Sequence, residues 1–133
     1  MGMYTELVLK CEVRGDAPDV VKKVVRHLFS GEAAPDTLPG HVFFSCHRWE
    51  MIGSGSSAYH HPEAVNSLVK YDWSENIHIF SRSDLKDYED EIAKFIDWIT
   101  AYVDGSGETC IGWSWYEEED KPTLIIINAG EQA

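Results

Sequence analysis

The sequence predicts an α+β fold. The expected architecture is a mainly antiparallel sheet of about six strands with two principal helices on one face, in a β-α-β-β order that is repeated. Three observations carry this. Residues 81–105 form an amphipathic helical stretch, residues 4–13 alternate and lead into a valine-rich helical pattern, and residues 109–116 and 123–128 are two β-prone runs around an acidic turn. At 133 residues the chain is expected to be one globular domain, 1–133, large enough to bury a core without metal or disulfide support.

In chain order, Leu7, Leu9, Cys11 and Val13 alternate with Glu6, Lys10 and Glu12, as a half-buried strand requires. Gly15 and Asp16 turn the chain; Asp16 is a candidate helix cap, and Pro18 suits a first turn, where an amide hydrogen is not needed. Val20, Val21, Val24, Val25, Leu28 and Phe29 make one side of that helix, and Gly31 ends it. Residues 32–40 read as a loop. Residues 41–46 and 58–61 read as strands, with Gly53 to Ser57 as a hairpin tip between them. That glycine-rich tip lacks the following helix and the Lys-Ser or Lys-Thr pair of a phosphate cradle. Residues 62–70 suit a short helix or an irregular excursion, and residues 73–82 a strand.

The helix over 81–105 rests on Tyr88, Ile92, Phe95, Ile96, Ile99, Tyr102 and Val103, spaced by three and four, with Asp87 placed to cap it and Gly105 to end it. Trp98 lies at the margin of this stripe, as core boundary. In the last hairpin Ile111, Trp113 and Trp115 alternate with Gly112, Ser114 and Tyr116. A face of the sheet left open by the helices would present Phe43, His78, Phe80, Gly112, Ser114 and Tyr116.

The net charge is −12, unevenly spread: residues 1–72 carry a net of −2 and residues 73–133 a net of −10. Such a field repels phosphates, so direct nucleic-acid binding is not expected. No basic segment leads into a long apolar run, so neither a secretory signal nor a membrane span is expected, and a cytoplasmic location follows. Cys11, Cys46 and Cys110 are odd in number and show no CxxC spacing, which suits reduced thiols.

Candidate chemistry is sparse. Cys46-His47 with His60 and His61 could supply metal ligands, but adjacent strand residues point to opposite faces, and no HExxH or paired CxxC motif is present. A metal-assisted hydrolase using His47, His60 and His61 is therefore the third reading. The second is a small-ligand, nucleotide-like binding protein with a pocket between helices and sheet, using His78, Arg82, Trp113, Trp115 and Tyr116. The first combines the acidic half with the excess of Trp and Tyr: a non-enzymatic protein that binds a protein partner through Asp90, Glu91, Asp97 and the turn Glu117, Glu118, Glu119 and Asp120. This reading requires no cofactor, and the sequence leaves homo-oligomerisation open.

The stretches FFSCHRWEMIG from Phe43, FSRSDLKDYEDEIAKFIDWI from Phe80 and GWSWYEEEDKPTLI from Gly112 resemble a group of small acidic uncharacterised proteins of bacteriophage and bacterial genomes. The likeness covers most of the chain and brings no catalytic residues to map. It implies a bacterial host cell as the setting and a host or phage protein as the partner to be bound or inhibited.

Overall fold

The computed structural model describes residues 3–57 and 63–129. Its elements are β1 (Thr5–Val13), α1 (Asp19–Ser30), β2 (Val65–Lys70), β3 (Ile77–Leu85), α2 (Glu91–Ile99), β4 (Gly107–Tyr116) and β5 (Thr123–Ala129). The strands form one antiparallel sheet in the order β2-β3-β1-β4-β5. β1 is central: it pairs with β3 along its whole length and with β4 from Thr5 to Leu9. β1 and β2 run parallel with β3 between them, joined through α1, which is a split β-α-β arrangement.

Among the described residues the sheet has five strands where about six were expected, and the β-α-β-β order is seen in β3-α2-β4-β5 without a separate repeat. Two strands differ. Residues 41–46 were expected to be extended but contain a single 3-10 turn, Val42–Ser45, followed by another, Trp49–Met51. The reason is a period of three: Phe43, Cys46, Trp49 and Ile52 are all buried, and every third residue shares one side of a 3-10 path. His41 begins it, its Nδ1 accepting the Phe43 amide at 3.0 Å. The strand expected over 58–61 lies outside the described residues. Conversely, β2 occupies part of the stretch read as helical or irregular. It is an edge strand in which only Leu68 packs, partly buried, against the core, so burial imposed little alternation on it.

The helix expected from residue 81 begins ten residues later. β3 continues to Leu85 because Ser81 and Ser83 hold inward positions that an apolar pattern would miss. Both are satisfied: Ser81 Oγ donates to Asn66 Oδ1 at 2.6 Å, and Ser83 Oγ accepts the Gly53 amide at 3.2 Å. Asp87 does serve the helix start, accepting the Ile92 amide at 3.0 Å, and α2 gives way to a 3-10 turn at Thr100–Tyr102 before Gly105. At the other helix Asp16 is not the cap; it accepts from Arg14 Nε at 3.1 Å, while Pro18 stands at the cap position. Gly31 ends α1 in the left-handed conformation, as expected.

Both helices and the connection between them feed one core with the inward residues Leu7, Leu9, Val13, Ile77, Ile79 and Ile127. Phe43 is its hub: fully buried, its ring meets Phe44 at 4.9 Å, Phe95 at 5.4 Å, Trp49 at 5.9 Å and Trp98 at 6.0 Å. Trp98, expected at the boundary, is buried in it.

Two predictions follow from this packing. Phe43→Ala should lower stability by about 3–5 kcal/mol, read by chemical denaturation, because a phenyl-sized cavity opens among rings that cannot all close on it. Asp87 is a sharper case. Burial is the main cause that raises its pKa above the ordinary carboxylate range, opposed by the Ile92 amide and reinforced by Glu91 and Asp90. The fold thus favours the protonated form, and stability falls as pH rises from the ordinary carboxylate pKa through the raised one. Asp87→Asn keeps the acceptor and tolerates the left-handed backbone at φ 56°. Its stability relative to the parent should therefore improve between about pH 3 and pH 7, whereas Asp87→Ala should cost about 1–2 kcal/mol. A relative loss for Asp87→Asn over that range would show that burial does not dominate at this carboxylate.

Candidate functional site

The helices cover one face of the sheet and leave the other without a second layer among the described residues. The antiparallel registers define that face, since directly opposed residues point the same way. From edge to edge it carries Val65, Ser67 and Val69 of β2; His78, Phe80, Arg82 and Asp84 of β3; Glu6, Val8, Lys10 and Glu12 of β1; Trp113 and Trp115 of β4; and Leu124 and Ile126 of β5.

A bulge in β4 decides what this face presents. Strict alternation would put Ile111, Trp113 and Trp115 together, yet the register slips between Cys110 and Gly112, leaving Ile111 as the extra residue. Ile111 turns into the core while Trp113 and Trp115 remain outside, 36% and 38% exposed. Gly112 makes this approach feasible: at φ 143°, a Cβ there would stand 1.8 Å from the Val8 carbonyl oxygen. Of the residues expected on an open face, His78 and Phe80 are there, whereas Gly112, Ser114 and Tyr116 sit on the helix side of the register and Phe43 is in the core.

The face has two apolar strips and a charged seam. One strip is Trp113, Trp115, Leu124 and Ile126, with Leu124 60% and Ile126 53% exposed. Trp115 is oriented by its indole Nε1, which donates to the Glu119 carbonyl at 2.8 Å. The other strip is Val65, Val69 and Phe80, extended by Tyr71 and Trp73, whose rings stack at 5.1 Å and flank His78. Between them runs the seam. Arg82 Nε donates to Glu6 at 2.6 Å, and its two terminal nitrogens bond the Asp84 carboxylate at 3.0 and 3.3 Å. The Asp84 side chain has no exposed surface, so these bonds hold a desolvated charge.

Beside the seam, where β4 diverges from β1 and residues Val103 and Asp104 take its place along β1, lies a cleft of about 380 Å³. Its lining mixes Phe80, Tyr71 and Ile111 with Lys10, Glu12, His78 and Asp104. His78 Nε2 lies 3.3 Å from Glu12 Oε1 without the alignment of a hydrogen bond and is buried with no other partner among the described residues. Cys11 also borders the cleft; burial first, then Glu12, pushes its thiol up to about 12, which leaves it protonated and unreactive.

The structure therefore gathers His78, Arg82, Trp113 and Trp115 from the expected ligand set, but on the open face and not between helices and sheet. Tyr116 does not join them, and its phenol is pushed up by desolvation and by Glu118 and Glu117. The seven acids separate into three places. Glu91 is 2% exposed and accepts the Glu89 amide, so it offers no surface contact. Asp97 is paired with His41 Nε2 at 2.9 Å. Asp90 stands exposed before α2, in the loop whose Lys86 and Asp87 line a hollow together with Tyr116 and Glu119. Glu117, Glu118, Glu119 and Asp120 are exposed in that turn, with Glu117 also accepting the Tyr4 amide.

For the metal alternative, His47 is exposed and His60 and His61 lie outside the described residues. Among the described residues no group of three or more His, Cys, Asp and Glu side chains is placed to hold a metal ion. Cys46 is buried, with its thiol pKa raised chiefly by that burial, and its Sγ lies 3.9 Å from the Glu89 carbonyl oxygen. No helix among the described residues is long and apolar enough to cross a membrane. No family model, curated protein or solved structure matches the chain.

The Arg82 geometry separates a structural role from a ligand-binding one. Arg82→Ala should cost about 3 kcal/mol in a denaturant titration, since it removes the guanidinium that neutralises the buried Asp84 carboxylate. Arg82→Met combined with Asp84→Asn should recover most of that loss. A stable Arg82→Ala protein would mean that the guanidinium is not needed for the seam and is free for other work.

Proposed function

We propose that this chain is a non-enzymatic binding protein whose open sheet face, with the acidic β4–β5 turn at its rim, engages a protein partner. One observation carries the reading: Trp113, Trp115, Leu124 and Ile126 form a continuous exposed strip on a face with no second layer among the described residues. Contiguous apolar surface of this kind marks interaction sites, and tryptophan is the residue type most enriched at binding hot spots. The rim sets the partner's character. Glu117 to Asp120 and a net charge of −12 favour a basic patch around an apolar centre. The resemblance to phage-borne acidic proteins supports a host or phage protein as the partner and inhibition as the consequence, in the cytoplasm of a bacterial cell.

The test begins with capture from a bacterial lysate and ends with titration of the purified partner. Trp113→Ser with Trp115→Ser should weaken binding at least about tenfold, equivalent to about 1.4 kcal/mol. Reversing Glu117, Glu118, Glu119 and Asp120 to lysine should weaken it further and flatten its dependence on salt. A partner bound equally well by both variants would remove this reading.

The cleft of about 380 Å³ favours a second reading, a small planar ligand held between Phe80 and Tyr71 with Lys10 or His78 orienting a polar group. Arg82 is committed to Glu6 and Asp84, and the overall field opposes phosphates, so nucleotides fit it least well. A dose-dependent rise in melting temperature with planar ligands, lost in Phe80→Ala, would favour the cleft over the strip.

A further inference from the structure

The outer edge of β5 ends the sheet. Its seven residues, Thr123–Ala129, pair with β4 along one side. Among the described residues no other backbone or side-chain hydrogen bond takes up the opposite side. Proteins guard such edges with charge, proline, a bulge or a covering segment. The β5 sequence TLIIINA contains no charge and no proline, and the bulge is on β4. The opposite edge is different in kind: β2 carries Lys70, and its Asn66 is tied to Gly53 and Ser81.

An unpaired edge recognises another extended strand, and charge decides whose. With a net of −12 per chain, two copies repel over most of their surface. Along β5 seven consecutive residues carry no charge, so here two copies approach without setting acid against acid. An antiparallel edge is also its own complement about a two-fold axis. Antiparallel pairing further keeps the two Glu117 to Asp120 turns at opposite ends of the junction, about 20 Å apart along the strands.

We propose that β5 pairs antiparallel with β5 of a second copy, joining two five-stranded sheets into one of ten. Leu124 and Ile126, the two most exposed apolar side chains of the Trp113 strip, then meet their counterparts across the junction, and the tryptophan strips of the two copies become neighbours on one continuous face. This goes beyond the partner-binding reading, because it concerns the edge of the sheet and not the open face.

Sedimentation equilibrium of the full chain from about 1 to 100 µM should show a species of twice the 15.1 kDa chain mass. Ile126→Lys places on the edge the residue most used to guard one, at an already exposed position. It should leave the circular dichroism spectrum unchanged and weaken dimerisation at least about tenfold. Trp113→Ser should leave the dimer intact. Cys110, exposed and opposite Ile126, offers a distance test. With the two Ile126 residues opposed across the junction, the two Cys110 residues lie three strand spacings apart, about 14 Å, so a bismaleimide of that span should cross-link the parent and fail with Cys110→Ser. A single 15.1 kDa species throughout, or a dimer that survives Ile126→Lys but not Trp113→Ser, would overturn the proposal.

Discussion

The closeness of β4 to β1 depends on one missing side chain. At Gly112 any Cβ would collide with the Val8 carbonyl, and the backbone dihedral φ of 143° is one that glycine adopts readily. Because the strands meet there, the adjacent bulge can absorb one residue and change the sense of the strand. Ile111 joins the core, and Trp113 and Trp115 are left on the side away from the helices. Without that slip, one set of alternating residues would run along β4. The surface on which the functional reading rests is thus a consequence of a backbone contact between two strands.

Around this point the molecule divides its polar and apolar work by face. On the helix side, the ring cluster around Phe43 collects α1, α2 and the connecting turns into one core, and buried polar groups there such as Ser81, Ser83 and Glu91 are hydrogen-bonded. On the open side, the Glu6, Arg82 and Asp84 seam runs between two apolar strips. A charged seam between apolar strips interrupts what would otherwise be one broad sticky surface, and it limits the ways in which another surface can seat on the face. The acidic turn then adds a sign to the rim. These devices are linked: the acidic turn supplies the Glu119 carbonyl that orients Trp115, and Glu117 accepts the Tyr4 amide.

Much of the architecture was legible wherever one face of an element is buried. β1, α1, the apolar side of α2 and the closing hairpin were all readable, because burial on one face imposes a period of two or 3.6. The misreadings share physical causes. β2 packs only Leu68 against the core, so almost no period was imposed on it. Serines at inward positions concealed the last third of β3. The connection through Phe43, Cys46, Trp49 and Ile52 follows a period of three, a signal present in the sequence but overshadowed by its β-prone composition. The candidate site was half legible: the tryptophans and acids were visible as an excess, but a bulge moved the former and burial removed Glu91 from the latter.

The chain's composition settles its acidic character, the two amphipathic helices and the alternating strands, since each follows from spacing and charge along the chain. The assembled fold settles which face each strand shows, that Arg82 is committed to Glu6 and Asp84, and that β5 is the outermost strand among the described residues. These depend on registers between residues far apart in the chain, such as Val8 with Arg82 on one side and Trp113 on the other. A shift of one residue in any register would reverse the face of every side chain beyond it, and no local pattern in the sequence records that choice.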